Sequence, residues 1–389
     1  MSNFSFENKT VVLIIKVAML GGAERQALGL ASFLIQNYKC KVHLVATHSN
    51  EPTPEFAQFS KACGIETIHY FGEPSLTIHS SFSIINLKRT YRALRYLKKM
   101  KQEISKFQPD IIIPFLNTPS KVAALIYKSV GAQLTFWHQL GLDNYTYDLL
   151  EKKAIRNVPF IVANAANGLD VFESYYSVPK SKLFVLPQYV SIQKINLDAQ
   201  AQRQKFNLPQ DAIVIGMIAH YRSEKLQELL IKAFSKIQSK NKVHLVFLGN
   251  KDNDEATQTK YNTLVSLSKS LDSYDAISFL SGESVEKVLN CLDIGVLVSE
   301  IEGTPNVVME YMLYGLPVVA TNHSGCEVLL KPTQFLIPND EVLLISKLEN
   351  LVNDADLRLI EGANNAEKIK QFSIEKYIES LQSIINLSS

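Results

Sequence analysis

Two carboxylates, Glu302 and Glu310, stand on either side of a helix start in the segment EGTPNVVMEYMLYGLPVVAT, residues 302–321. Thr304 suits a helix N-cap, and Pro305 fits a first turn, where a missing N–H costs nothing. Gly315 suits the residue just past the helix end, and Pro317 stops continuation, so the spacing predicts a helix over about 305–314. The first amides of such a helix, those of Asn306, Val307 and Val308, form a site for a phosphate or another anion. Glu310 lies one turn beyond Asn306 on the same face, where it can accept hydrogen bonds from ribose hydroxyls. Glu302 lies before the turn, on the far side of the anion site. The two acids then mark the two ends of one nucleotide-linked ligand. The plain alternative is a solvated helix residue and a loop residue.

A second set of charged groups lies upstream in IGMIAHYRSEKLQELLIKAF, residues 215–234. Arg222 and Lys225 are expected at a helix start, where cations oppose the helix dipole and so answer to an anion. His138, beside Trp137 in LTFWHQ, is either a satisfied histidine or a group aimed at a ligand. The run Asp252-Asn253-Asp254 mimics a metal-binding Asp-x-Asp, yet it sits in the polar loop GNKDNDEATQ, and no metal is expected there. Residues 85–107 carry Leu87, Tyr91, Leu94, Leu97, Met100 and Ile104 along one expected face, with Lys88, Arg92, Arg95 and Lys99 in a second stripe. That pattern is either a solvated face or a contact with an anionic membrane. No nucleic-acid recognition module accompanies it, so no nucleic-acid partner is expected.

These groups need elements to hold them. Short Val/Ile/Leu runs alternate with helical patterns at 11–17, 41–47, 110–116, 133–138 and 160–165, then again at 213–220, 243–249, 276–282, 294–300 and 317–321. Continuous apolar strands between helices imply parallel sheets covered on both faces, hence doubly wound α/β domains. The polar stretch 186–211 has prolines at both ends and no strand pattern, and it reads as the link between the two series. The expected organisation is an N-terminal domain over 1–190, a C-terminal domain over 191–370, and a closing amphipathic helix over 371–389 that packs back toward the first domain. Ser373 is its expected N-cap.

The 389 residues are 46% apolar, with 20% charged and a net charge of +2, which argues for globular domains and against a polyanionic partner. The four cysteines are far apart, with no metal or redox spacing, as expected of free thiols in a reducing compartment. The run VVLIIKVAML contains Lys16 and leads into GGAER without a cleavage pattern, so a buried strand is expected rather than a signal peptide. No apolar run reaches the ~18–20 residues that span a bilayer. A cytoplasmic protein is expected, with peripheral membrane contact through 85–107 as the alternative to a solvated helix.

The segment at 302–321 resembles the retaining glycosyltransferases of family 4, which have the GT-B fold and a Glu-x7-Glu signature. CLDIGVLVSE is similar to the lead-in strand of that family. NHSGCEVLL is similar to its following Gly-Gly-x-x-Glu segment, one residue short and with Ser324 for one glycine, which leaves the role of Glu327 open. LGGAERQALGLASFL resembles the first loop and helix, in which Gly21 and Gly22 let the backbone approach diphosphate and acceptor; it lacks Gly-x-Gly-x-x-Gly and is not a dinucleotide fingerprint. In the family's diphosphate clamp Lys225 matches directly, while His220 holds the usual Arg position and Arg222 takes the place used in one subset. His138 matches a histidine facing the donor sugar. The resemblance spans nearly the whole chain.

It implies two Rossmann-like domains facing across a cleft, with donor on the second and acceptor on the first. It implies transfer of a sugar from a nucleotide donor, a UDP-sugar rather than a GDP-sugar, to a hydroxyl of a glycan or lipid-linked acceptor. Retention, front-side attack and no metal cofactor follow from the same likeness. The donor-binding set is then Gly21, Gly22, Arg222, Lys225, Glu302, Thr304, Pro305, Asn306, Val307 and Glu310, and the catalytic set is His138, Arg222, Lys225 and Glu302. A nucleotide-sugar epimerase of the same fold and a non-catalytic subunit are the alternatives.

Overall fold

The computed structural model describes residues 4–388 apart from 66, 75, 80–82, 142–144 and 252–253. The chain divides into two compact units, Met1–Ser191 together with Ile374–Ser389, and Ile192–Ser373.

In the first unit, strands β1 (Thr10–Ile15), β2 (Lys41–Ala46), β3 (Ile68–Tyr70), β4 (Ile111–Pro114) and β5 (Leu134–Thr135) form a parallel sheet in the order β3-β2-β1-β4-β5. Side chains alternate across β1. Val11, Leu13 and Ile15 join one core, whereas Val12 and Ile14 join the other. A second parallel sheet holds β6 (Trp137–Gln139), β7 (Ile161–Ala163) and β8 (Leu183–Val185) in that order. The run predicted as one strand at 133–138 is therefore split between two sheets, with the change at Phe136.

The C-terminal helix, Ile374–Ser388, begins directly after Ser373. Its buried residues Tyr377, Ile378, Leu381, Ile384 and Ile385 follow helical spacing and join the core beneath β1 that also holds Phe6, Leu34 and Tyr189.

In the second unit, β9 (Ala212–Ile218), β10 (Lys242–Leu248), β11 (Ile277–Leu280), β12 (Ile294–Leu297), β13 (Val318–Thr321) and β14 (Leu336–Ile337) form a parallel sheet in the order β11-β10-β9-β12-β13-β14. The strand order reverses between β9 and β12. In open α/β sheets, ligands bind beyond the strand carboxyl ends at such a reversal. The loops leaving β9 and β12 are those that carry Arg222, Lys225 and Glu302.

Candidate active site

The two loops are joined by backbone before any side chain is considered. Leu226 N–H donates to the Val298 carbonyl at 3.1 Å, and Glu300 N–H donates to the Glu224 carbonyl at 2.8 Å. Lys225 and Ser299 form an antiparallel bridge. This zipper sets the Lys225 ammonium against the Glu302 carboxylate as an ion pair, with both side chains largely buried. The sequence placed Lys225 at a helix start answering an external anion. In the protein it precedes the helix Gln227–Phe234, and the anion it meets is Glu302.

Arg222 is not brought to this pair. Its side chain is 62% exposed, and its nearest carboxylate is Glu224, with Nη1 at 3.9 Å from Oε1. Its backbone is engaged locally: its N–H donates to the His220 carbonyl at 3.0 Å, and its carbonyl accepts from the Lys225 N–H at 3.1 Å.

The helix after the turn is Asn306–Leu313, shorter than the expected 305–314. Pro305 occupies the N-cap in extended conformation (φ −77°, ψ 117°), so the N-cap falls one residue after the expected Thr304. Packing holds the turn extended. A Cβ placed on Gly325 would stand 1.7 Å from the Gly303 carbonyl oxygen and 2.8 Å from the Thr304 nitrogen, so the helix Ser324–Leu330 presses its backbone onto the turn. Of the three amides expected to face an anion, that of Val308 already donates to the Pro305 carbonyl at 3.2 Å. Asn306 and Val307 remain as the first two residues of the helix. Gly315 has φ +72° just past the helix end, and Leu316 N–H returns to the Tyr311 carbonyl at 3.0 Å, as its predicted position requires.

Glu310 is 5% exposed, which rules out the solvated alternative. Its neighbour Tyr311 fixes the helix to the sheet reversal. The Tyr311 hydroxyl accepts from Ile218 N–H at 2.9 Å and donates to the Gly216 carbonyl at 3.1 Å. Gly295 makes room for the ring, since a Cβ there would lie 2.4 Å from Tyr311 Cγ. Glu327 is instead a surface group, paired with Lys331 at 2.6 Å.

In the first unit, His138 lies within β6. It is 1% exposed, and burial pushes its pKa down to about 4. Nδ1 sits 3.0 Å from the Pro114 carbonyl, which can only accept, so Nδ1 carries the proton and Nε2 the lone pair. Nε2 is buried with no hydrogen-bond partner among the described residues.

Gly21 is the N-cap of the helix Gly22–Tyr38. A Cβ there would come within 2.6 Å of Glu24 Oε2, so this glycine makes room for a carboxyl group of the protein itself. Glu24 is 5% exposed, and burial raises its pKa to about 7 against hydrogen bonds from its own N–H and that of Val17.

Residues 20–194 match the family described as Glycosyltransferase Family 4, and residues 198–368 match glycosyl transferases group 1. The chain belongs with the GT-B glycosyltransferases. It is 22% identical to an uncharacterized glycosyltransferase of Haemophilus influenzae, over 96% of this chain and 98% of that one. It is also 22% identical, over 96% and 98%, to a Campylobacter jejuni α-1,4-N-acetyl-D-galactosaminyltransferase named for an undecaprenol-diphosphate-linked acceptor. The Anabaena protein HepE, solved with UDP and glucose, superposes with a TM-score of 0.78 at 16% identity, covering 97% of this chain and 99% of that chain.

Sequence reasoning about this glycosyltransferase missed three structural features of these segments. Glu24 was findable, since an acid three residues after an N-cap is a known helix-start pattern. Tyr311 and Gly325 were not, because their importance lies in contacts across the sheet and between helices. Asp252 lies outside the described residues, and Asp254 caps the helix Glu255–Ser270 by accepting from Thr257 N–H at 2.7 Å. Among the described residues there is no cluster of three metal-ligating side chains.

Proposed function

We propose that this glycosyltransferase moves a sugar from a nucleotide-sugar donor, a UDP-sugar, to a hydroxyl of a glycan or lipid-linked acceptor, with retention of anomeric configuration and without a metal. The observation that carries the reading is the Lys225–Glu302 pair on two zipped loops at the sheet reversal. A cation and a carboxylate held together there suit a ligand with a diphosphate at one end and a sugar at the other. The UDP and glucose bound to HepE support the same donor class.

In this reading the leaving diphosphate gathers negative charge as the glycosidic bond breaks. Lys225 and the amides at Asn306 and Val307 stabilise it, while Arg222 swings in from solvent. Glu310 accepts from the ribose, and Glu302, released by Lys225, orients the sugar. The Nε2 lone pair of His138 accepts from a sugar hydroxyl, which satisfies its buried acceptor. Gly21, Gly22, Thr304 and Pro305 shape the backbone around the donor. The departing phosphate takes the acceptor proton, so no separate base is needed. Contact of residues 85–107 with an anionic membrane belongs to the same reading.

The test is a screen of UDP- and GDP-sugars by thermal shift, followed by NMR of the product formed with a glycan acceptor. Stabilisation by a UDP-sugar and an axial or equatorial linkage matching the donor are expected. Conversion of donor to an epimer without acceptor would move the reading to an epimerase. Absence of both transfer and donor hydrolysis would make the chain a non-catalytic subunit.

A further inference from the structure

The helix Ile84–Ser105 departs from its sequence reading in an informative way. Leu97, Met100 and Ile104 are buried with Ala93, but the other apolar members of the expected face are not. Ile84 is 74% exposed, Leu87 57%, Tyr91 67% and Leu94 61%, and Ile85 beside them is 66% exposed. At about 100° per residue, the single predicted face drifts and separates into an inward and an outward part.

Three stripes result. Ala93, Leu97, Met100 and Ile104 point into the core. Ile84, Leu87, Tyr91 and Leu94 point outward, roughly a third of a turn away. Lys88, Arg92, Arg95 and Lys99 form the third stripe, beside the outward apolar one. The helix holds seven basic residues, Lys88, Arg89, Arg92, Arg95, Lys98, Lys99 and Lys101, against the single acid Glu103. Glu103 pairs with Lys106. None of Lys88, Arg89, Arg92, Arg95 and Lys98 forms an ion pair with a described carboxylate.

A solvated face explains the charges but not the exposed isoleucines, leucine pair and tyrosine. A second copy of the chain is disfavoured, because the equivalent helix would bring seven more basic residues and a single acid, which leaves the positive charge unmatched. A surface that is negatively charged outside and apolar just beneath satisfies both stripes at once. We propose that this helix lies on an anionic lipid bilayer, with Ile84, Leu87, Tyr91 and Leu94 in the interface and Lys88, Arg92, Arg95 and Lys99 on lipid phosphates. This deepens the membrane contact in the proposed function and rests on it, and it is independent of the donor chemistry.

Purified full-length protein is sedimented with vesicles of phosphatidylcholine alone or with phosphatidylglycerol added. Binding to the anionic vesicles only, weakened by salt, is expected. Two triple variants, Lys88→Ala/Arg92→Ala/Arg95→Ala and Leu87→Ser/Tyr91→Ser/Leu94→Ser, should each lose at least roughly tenfold in vesicle affinity. Both alter exposed side chains, and each should melt like the parent and keep its UDP affinity. Equal binding to neutral vesicles, binding unchanged in either variant, or no vesicle binding overturns the proposal. Self-association abolished by the apolar variant, without vesicle binding, would assign the stripe to a protein contact instead. Loss of UDP binding in the parent would count against the proposed donor and leave the vesicle result standing on its own.

Discussion

Lys225 and Glu302 lie 77 residues apart in the chain and form one ion pair, held by loops whose backbones are hydrogen-bonded to each other on either side of it. The protein therefore stores its key cation against its own carboxylate. In the proposed function, a diphosphate would exchange one anion for another at Lys225.

Removal of that cation should be severe. Lys225→Ala is expected to cut turnover by about 100-fold or more, the range for losing one pre-organised contact to a developing charge. The exposed Arg222 has no comparable preorganisation in the free protein. Arg222→Ala should lower turnover less than Lys225→Ala does, while leaving the melting temperature unchanged. Steady-state rates and a thermal melt on each variant check both, and near-normal turnover in Lys225→Ala would remove it from the mechanism.

The two acids should fail differently. Glu310→Gln weakens charge-assisted hydrogen bonds worth ~1.5–3 kcal/mol each, so UDP and donor should both bind less tightly. Glu302→Gln should lower turnover with UDP affinity nearly unchanged. Calorimetry with UDP beside rate measurements separates them, and equal losses of UDP affinity would refute the division.

Activity is expected to persist in excess EDTA, since in the proposed function the diphosphate charge is met by Lys225, Arg222 and backbone amides. Loss in chelator with recovery on magnesium or manganese would reopen a metal role for Asp252 and Asp254.

Glu24 makes a pH prediction. Its carboxyl is raised from 4.5 to about 7 by burial, so the folded protein holds this proton more tightly than the unfolded chain. The associated stability is complete below pH 4.5 and is lost as pH rises to about 7. Glu24→Gln should then melt higher than the parent at pH 8 and not at pH 4.5. His138 runs the other way. With its value lowered to about 4, its contribution is present above 6.5 and is lost as pH falls toward 4. A parent more stable than Glu24→Gln at pH 8 would show that the carboxylate is instead favourably charged there.

Much of the fold was legible because strands buried on both faces are written as unbroken Val/Ile/Leu runs. The strands missed were β3, β8 and β14, of two or three residues each, too short to carry a period. Within the site, the residue types were legible and the pairing was not. Lys225 could be read as a cation in need of an anion, but which anion depends on the β9–β12 adjacency, set by sheet order. The start of the helix at Asn306 was misjudged by a residue because local rules favour Thr304 as a cap. The contact that overrides them comes from Gly325, on another helix. On the helix Ile84–Ser105, the apolar pattern was read as one face, yet periodicity reports where apolar groups lie, not which of them the fold covers.

The first unit draws its core from both sides of the second. Phe6, Leu34 and Tyr189 are covered by Tyr377, Ile378 and Leu381, residues that leave the ribosome only after the whole of Ile192–Ser373 has been made. The earlier-synthesised half must therefore wait, with an apolar groove open, while the later half folds without it. Nascent chains arrested before residue 374 should accordingly be the species that chaperones hold and proteases find, and the second unit should reach its native state first despite being translated second.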